Sequence, residues 1–406
     1  MKKVNRNHLL ILFYQIMVFN TVLEASQFSN IPFFSFCTRI LLVSLLIAGV
    51  IVWASGKGRV DKTLVLVIMI ILGIALVVMK KSNSRFNIIM LLYMMIIYRD
   101  VEPQQFCKKY VQAATTAMIF VFVLCLMGVF SNEYRYRITS SGLTKYRYYL
   151  GFNNTTVSPN YSFHISLAYM FYKQEKFSIK DAFFVFIPNT IVFFLTDTRA
   201  AYFECIFAMM LIWLIKFIRK GWIKKVIGYL SLWSMPFFAG MELYIANSYT
   251  TSKPFYLALD EVLSHRFSWV VRALKDYPIG LFGNPVTWES TAYTETSQLV
   301  DMFYLRCAIQ YGLVFLFVII IGFVGMSAYF KVRENYYGCI IIMVLAIHSI
   351  TDPQLLEYSY VPLLVMLLPG YEHIAGRIKI RRKIRKKGYT DNSQSNNAKC
   401  TIDNTY

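Results

Sequence analysis

Residues 193–204 read FFLTDTRAAYFE and lie between two apolar runs, Ala182 to Leu195 and Ala200 to Ile218. Each run approaches the length of a membrane-spanning helix, so the Thr-Asp-Thr-Arg segment between them predicts a tight turn at the edge of a bilayer. Arg199 is always charged, and near hydrocarbon it needs a carboxylate, water or an anionic ligand to replace its lost hydration. The stretch therefore predicts a helical hairpin whose turn can hold a phosphorylated lipid.

The composition extends this prediction to the whole chain. Of its 406 residues, 57% are hydrophobic and 16% are charged, which leaves no stretch with the composition of a soluble domain. We therefore predict an all-α polytopic membrane protein of about 12 transmembrane helices, forming one integral domain over residues 1–376. The apolar segments are His8 to Leu23, Phe34 to Ala54, Thr63 to Met79, Phe86 to Tyr98, Val111 to Phe130, Ser158 to Tyr172, Ala182 to Leu195, Ala200 to Ile218, Ile223 to Ala246, Val300 to Phe330, Gly338 to Thr351 and Leu355 to Ile374.

The distribution of Lys and Arg predicts the orientation in the cytoplasmic membrane. With both termini in the cytoplasm, the inner segments hold roughly twice as many cations as the outer ones, as the positive-inside rule requires. The net charge of +20 is therefore mostly topological, and no nucleic-acid partner is expected. Residues 377–406 are expected to form a basic and then disordered cytoplasmic tail on anionic membrane lipid. Seven cysteines, most of them in apolar segments, argue against a disulfide framework.

Two long extracytoplasmic segments, about 131–157 and 247–299, are where function is expected. The first carries Arg135, Arg137, Lys145 and Arg147 against a single Glu133, on the side where the rule predicts few cations. Two interpretations stay open: the arginines bind an anionic ligand, or they contact lipid phosphates.

The second, larger segment contains a predicted amphipathic helix, Glu261 to Asp276, which Pro278 stops. Its apolar stripe repeats at helical spacing. His265 and Arg272 fall on the opposite face, and Arg266 borders the stripe. From periodicity alone, an interfacial helix whose arginines extend to the headgroups is the simpler interpretation.

Further polar groups are expected beside these segments. A helix begins near Arg199, and Asp197 or Thr198 can cap it. The N-terminus of this helix attracts anions. The alternative interpretation is that Arg199 only forms an ion pair with Asp197 or Glu204. Asp301 lies at the start of the Val300 to Phe330 segment. As a helix, this segment would be longer than the roughly 30 Å thickness of the hydrocarbon core. The first turns of the segment, or a kink near Gly312, should therefore stand at the outer leaflet. No zinc spacing, phosphate loop or Ser-His-Asp order is present, and neither metal nor cofactor is expected.

The chain resembles the Wzy-type oligosaccharide repeat-unit polymerases of the O-antigen polymerase and ligase group, most of all those of Gram-positive capsule loci. The resemblance lies in FFLTDTRAAYFE, in SHRFSWVVRALKDYPIGLFG (264–283), in LVDMFYLRCAIQYGLVF (299–315) and in HSITDPQLLEYSYVPLLVML (348–367).

This resemblance implies a metal-independent membrane glycosyltransferase that polymerises polyprenyl-diphosphate-linked repeats at the outer face of the membrane. It implies that the arginines bind the diphosphate and that an acidic residue or a histidine accepts a proton. A chain-length regulator and a flippase are the implied protein partners. The implied diphosphate-binding residues are Arg199, Arg266, Arg272 and Arg135, and the implied catalytic candidates are Asp301 and then His265.

Two other functions stay open. The ligase branch of the same group has a His-Ser or His-Asn motif followed by spaced glycines, and His265 and His348 both depart from it. A flippase or transporter of twelve helices would show two related halves with a long central cytoplasmic loop, whereas the long loop here is late and predicted to be external.

Overall fold

The computed structural model describes residues 6–56, 62–83, 85–138, 144–218, 220–250, 253–263, 265–288 and 300–376. The predicted tail, 377–406, and the end of the second outer segment, 289–299, lie outside the described residues. The described part is mainly helical, as the composition predicts. In the first half of the chain the helices are α1 (Arg6–Glu24), α2 (Pro32–Ala54), α3 (Lys62–Lys81), α4 (Arg85–Ile97), α5 (Pro103–Leu126), α6 (Val157–Lys173) and α7 (Ile179–Thr196).

The second half begins with the predicted hairpin partner of α7. Its helices are α8 (Arg199–Phe217), α9 (Gly221–Ser248), α10 (Pro254–Val262), α11 (Arg266–Asp276), α12 (Phe303–Gln310), α13 (Leu313–Val332) and α14 (Tyr336–His348), and residues 367–376 are helical again. Among the described residues, seven helices are long and apolar enough to cross a membrane, namely α2, α3, α5, α7, α8, α9 and α13. The chain is thus a helical protein of the membrane class, and the number of twelve spans stays a prediction.

Helix α14 lies at the centre of the bundle, in contact with α6, α8, α9 and α13, while α1 packs on α5. The peripheral helices α2 and α3 expose apolar side chains instead: Phe33 is 77% exposed and Leu66 is 60% exposed. Such faces are typical of helices that lie against lipid. The packing therefore separates a buried core from a lipid-facing rim.

The predicted hairpin of α7 and α8 is confirmed, and polar side chains fix α7 against α6. Asn189 of α7 donates to the hydroxyl of Ser166 (2.8 Å) and accepts from that of Ser162 (3.0 Å). Hydrogen bonds of this kind between apolar helices contribute roughly 0.6 kcal/mol each. They hold the turn at residues 196–199 in a fixed place on the bundle.

A two-stranded antiparallel hairpin, β1 (Tyr134–Ile138) and β2 (Thr144–Tyr148), occupies the first outer segment. The prediction treated this segment as a loop. The sequence signal for the β-hairpin is the alternation of aromatic and charged residues, which has the two-residue period of a strand. In the register, Arg135 faces Arg147 and Tyr136 faces Tyr146. The pairing places both arginines on one face of the hairpin.

The predicted amphipathic helix starts later than expected. It ends at Asp276, as Pro278 predicts, but α10 stops at Val262 and α11 begins only at Arg266. The cause is Asp260, whose Oδ1 accepts the backbone N–H of Phe267 at 2.8 Å and so caps α11 from the end of α10. The chain turns between the two helices.

The long Val300 to Phe330 segment is broken at Gly312, which confirms the predicted kink. Gly312 has φ +89°, and a Cβ there would lie 2.4 Å from the carbonyl oxygen of Leu281. The first N–H groups of α13 are satisfied by the segment that follows α11: Leu313 donates to the carbonyl of Gly280 (3.0 Å) and Val314 to that of Leu281 (3.1 Å). Backbone contact therefore fixes residues 280–281 onto the α12–α13 break.

Candidate functional site

One cavity of about 880 Å³ lies at the end of the bundle where the β-hairpin, the α7–α8 turn and the α10–α11 turn meet. Four arginines line it against three carboxylates, so its fixed charges leave an excess of positive charge. Aromatic rings complete its wall. The residues that carry this chemistry are Arg135, Arg147, Arg199, Arg266, Asp197, Glu261, Asp301, His265, Tyr136, Phe203 and Trp269.

The cavity brings together most of the residues predicted from the sequence. Arg135, Arg199, Arg266, His265 and Asp301 all line it, although they are far apart along the chain. The role of each residue stays a prediction, whereas their location around one cavity is observed.

Arg272 is the exception among the predicted residues. It is not among the residues that line the cavity. It follows Arg266 by six positions on α11, which is about 120° around the helix axis, so the two side chains point to different sides. Arg272 therefore lies apart from the lining of this cavity, and its role in binding the diphosphate stays a prediction.

The turn before α8 is fixed by the β-hairpin. Asp197 has φ +48° and forms an ion pair with Lys145 (3.2 Å). Arg147 donates from Nε to the carbonyl of Thr196 (2.7 Å) and from Nη2 to the hydroxyl of Thr198 (3.0 Å). These bonds leave the start of α8 facing the cavity.

Arg199 itself is exposed at the first position of α8. The alternative pairs with Asp197 or Glu204 are not formed: Asp197 pairs with Lys145, and Glu204 with His348. Thr198 occupies the N-cap position without a capping side-chain bond. Among the described residues, Arg199 has no ion-pair partner, so its charge and the helix N-terminus are both available to an anion.

Arg266 and Asp301 also line the cavity. Arg266 donates from Nη1 to the carbonyl of Leu263 (3.3 Å), and its buried Nε has no partner among the described residues. Asp301 precedes α12, outside the membrane-spanning helices. Burial raises the pKa of Asp301, while Arg266 and Arg306 oppose that rise and Asp352 adds to it. A carboxyl group with a raised pKa is suited to accept a proton near neutral pH.

His265 lies in the turn between α10 and α11 with φ +64°. Its imidazole is 67% exposed, and Nδ1 is 3.6 Å from Oδ2 of Asp260. A carboxylate at one ring nitrogen orients a histidine and leaves the other nitrogen for a ligand. Asp260 was not predicted, because the contact depends on the break between the helices.

A buried polar cluster beneath the cavity was also missed. Nδ1 of His348 is 2.5 Å from Oε2 of Glu204, and its Nε2 is 3.9 Å from Oδ1 of Asp352. Asn160 donates to Asp352 at 2.5 Å. These residues come from α6, α8, the end of α14 and the turn that follows it, so no local pattern predicts the cluster. It connects Glu204, one turn below Arg199, with the segment that carries the cavity residue Thr351.

Within the described residues, no group of three histidine, cysteine or carboxylate side chains could hold a metal ion. A metal-independent reaction stays a prediction. No family model, curated protein or solved structure matches the chain.

Proposed function

We propose that the chain is a membrane glycosyltransferase that polymerises polyprenyl-diphosphate-linked oligosaccharide repeats at the outer face of the cytoplasmic membrane. The observation that carries the proposal is the cavity in which Arg135, Arg147, Arg199 and Arg266 face His265 and Asp301. Guanidinium groups form two-point hydrogen bonds with phosphate oxygens, and four of them suit a diphosphate. The proposal includes about twelve spans with both termini in the cytoplasm.

The substrate fits the cavity in two further ways. A sugar next to the diphosphate presents apolar ring faces, and Tyr136 and Trp269 offer aromatic surfaces beside the arginines. The polyprenyl chain can remain in the bilayer, because Phe203 lines the cavity and is 58% exposed on α8. Head group, sugar and lipid are thus accommodated at one membrane edge.

In the proposed reaction, a hydroxyl group of the incoming repeat attacks the anomeric carbon at the reducing end of the growing chain. The new carbon–oxygen bond forms as the bond to the diphosphate breaks, and the diphosphate leaves with the bonding electrons. Asp301 accepts the hydroxyl proton, with His265 as the second candidate. Arg199 and Arg266 stabilise the charge that develops on the leaving diphosphate.

A transporter is the main alternative from another functional class. Secondary transporters bind their substrate near the middle of the bilayer, between two structural repeats. The arginine cavity lies instead at the helix ends, between turns and a β-hairpin. This position favours chemistry at a membrane surface over passage through the bundle.

A deletion strain distinguishes the two functions. If the chain polymerises repeats that are already outside, its deletion leaves single lipid-linked repeats on the outer face, where a glycosidase added to protoplasts degrades them. If the chain transports repeats, the deletion leaves them in the inner leaflet and protected. Complete protection would contradict the polymerase, while degradation together with loss of long chains would support it.

A further inference from the structure

A second cavity, of about 550 Å³, lies between α1, α2, the start of α4 and the segment 356–359. It is separate from the arginine cavity, and the two share none of their lining residues. One side is apolar, formed by Leu42, Val43, Phe86 and Met90. Val43 is 55% exposed and Phe86 is 48% exposed on the lipid-facing rim, so the cavity opens toward lipid.

Its polar side carries three ionisable residues, Glu24, Arg39 and Glu357. In the described part of the chain, the side chains of Glu24 and Arg39 form neither a hydrogen bond nor an ion pair. Glu357 has no ion pair there either, but its carboxyl group interacts electrostatically with Asp352 and Arg306. Arg39 is the eighth residue of α2, about 10 Å along the helix from its start. Arg39 is exposed on a helix that is apolar enough to span a membrane, where a charged side chain is rare and is normally compensated by a partner.

The combination of charges restricts the ligand. Two carboxylates and one arginine make the second cavity unfavourable for a diphosphate, in contrast to the arginine excess of the first. A simple cation would satisfy Glu24 and Glu357 but leave Arg39 without a partner. A head group that carries both an anion and a cation compensates all three residues.

We infer that this cavity binds a membrane lipid whose head group joins a phosphate to a primary ammonium. The phosphate contacts Arg39, the ammonium donates to Glu24 and Glu357, and an acyl chain lies along the apolar side. The inference is independent of the proposed polymerase activity.

The test uses the full chain, purified and reconstituted in nanodiscs with equal amounts of phosphatidylethanolamine and phosphatidylglycerol. After brief detergent extraction, mass spectrometry measures the lipid retained by the protein. Phosphatidylethanolamine should be enriched over the bulk ratio, and Arg39→Gln or Glu24→Gln should reduce its retention about tenfold, the effect of one charged hydrogen bond. Arg85→Gln is the control, because Arg85 is exposed at the start of α4 but does not line the cavity.

Two further measurements separate binding from misfolding. Each variant is compared with wild type by its melting midpoint, and if Arg39→Gln does not fold, Glu24→Gln carries the test. Phosphatidylcholine, whose ammonium has no N–H donors, should be retained less than phosphatidylethanolamine. Retention at the bulk ratio, preference for phosphatidylglycerol, or unchanged enrichment in a folded variant would overturn the inference.

Discussion

The backbone contact between residues 280–281 and the α12–α13 break gives a quantitative prediction. Replacing Gly312 by alanine forces a side chain into a backbone with φ +89° and ψ +164°, a region that is essentially restricted to glycine, at a cost of about 1–3 kcal/mol. The new Cβ would lie 2.4 Å from the oxygen of Leu281, so the loop must move and its two hydrogen bonds to α13 are lost, at about 1 kcal/mol each. The expected loss is about 3–5 kcal/mol.

The assay follows unfolding of purified protein with a thiol-reactive fluorogenic dye, since several cysteines are buried and react only on unfolding: Cys107, Cys205, Cys307 and Cys339. Gly73→Ala is the matched control, because a Cβ at Gly73 meets nothing within 4 Å. Gly312→Ala should lower the melting midpoint clearly and Gly73→Ala should not. Equal melting midpoints for the two variants would refute the reasoning about this backbone contact.

Two further predictions concern the arginine cavity. Arg199→Lys keeps the charge but loses the planar two-point contact, so polymer formation should fall about a hundredfold. The control is Arg272→Gln, outside the cavity, whose polymer formation should stay within about twofold of wild type. Comparable losses in the two variants, measured at matched protein levels, would contradict the assignment of Arg199 to the diphosphate site. If Asp301 is the base, activity falls as pH drops through its pKa. Arg306→Gln removes a charge that lowers this pKa, so the acid limb of the pH–rate profile should move to higher pH. Asp352→Asn removes a charge that raises this pKa, so the acid limb should move to lower pH. Shifts of the acid limb in the same direction in both variants would exclude Asp301 as the base.

The sequence predicts the helices well because their signals are local. Apolar length defines α7 and α8, and the excess length of the Val300 to Phe330 segment predicts the break at Gly312. The place of Arg199 at a helix start follows from the turn that precedes it. In each case the determining residues lie within a few positions of the feature.

The parts that were missed depend on contacts between distant segments. The interval between α10 and α11 is set by Asp260, whose carboxylate acts across the turn. The pair of Glu204 and His348 joins two helices 144 residues apart in sequence. That Arg266 lines the cavity and Arg272 does not could not be predicted, because helical periodicity fixes the relative direction of the two side chains on α11 but not which side of that helix faces the cavity.

The central claim is tested most directly by reconstitution. The purified chain is placed in vesicles with lipid-linked repeats isolated from the deletion strain, and the products are separated by length in the presence of a metal chelator. The account predicts a ladder spaced by one repeat, with one polyprenyl diphosphate released per bond formed. Folded protein that leaves every repeat single, or a ladder that forms without release of polyprenyl diphosphate, would contradict it.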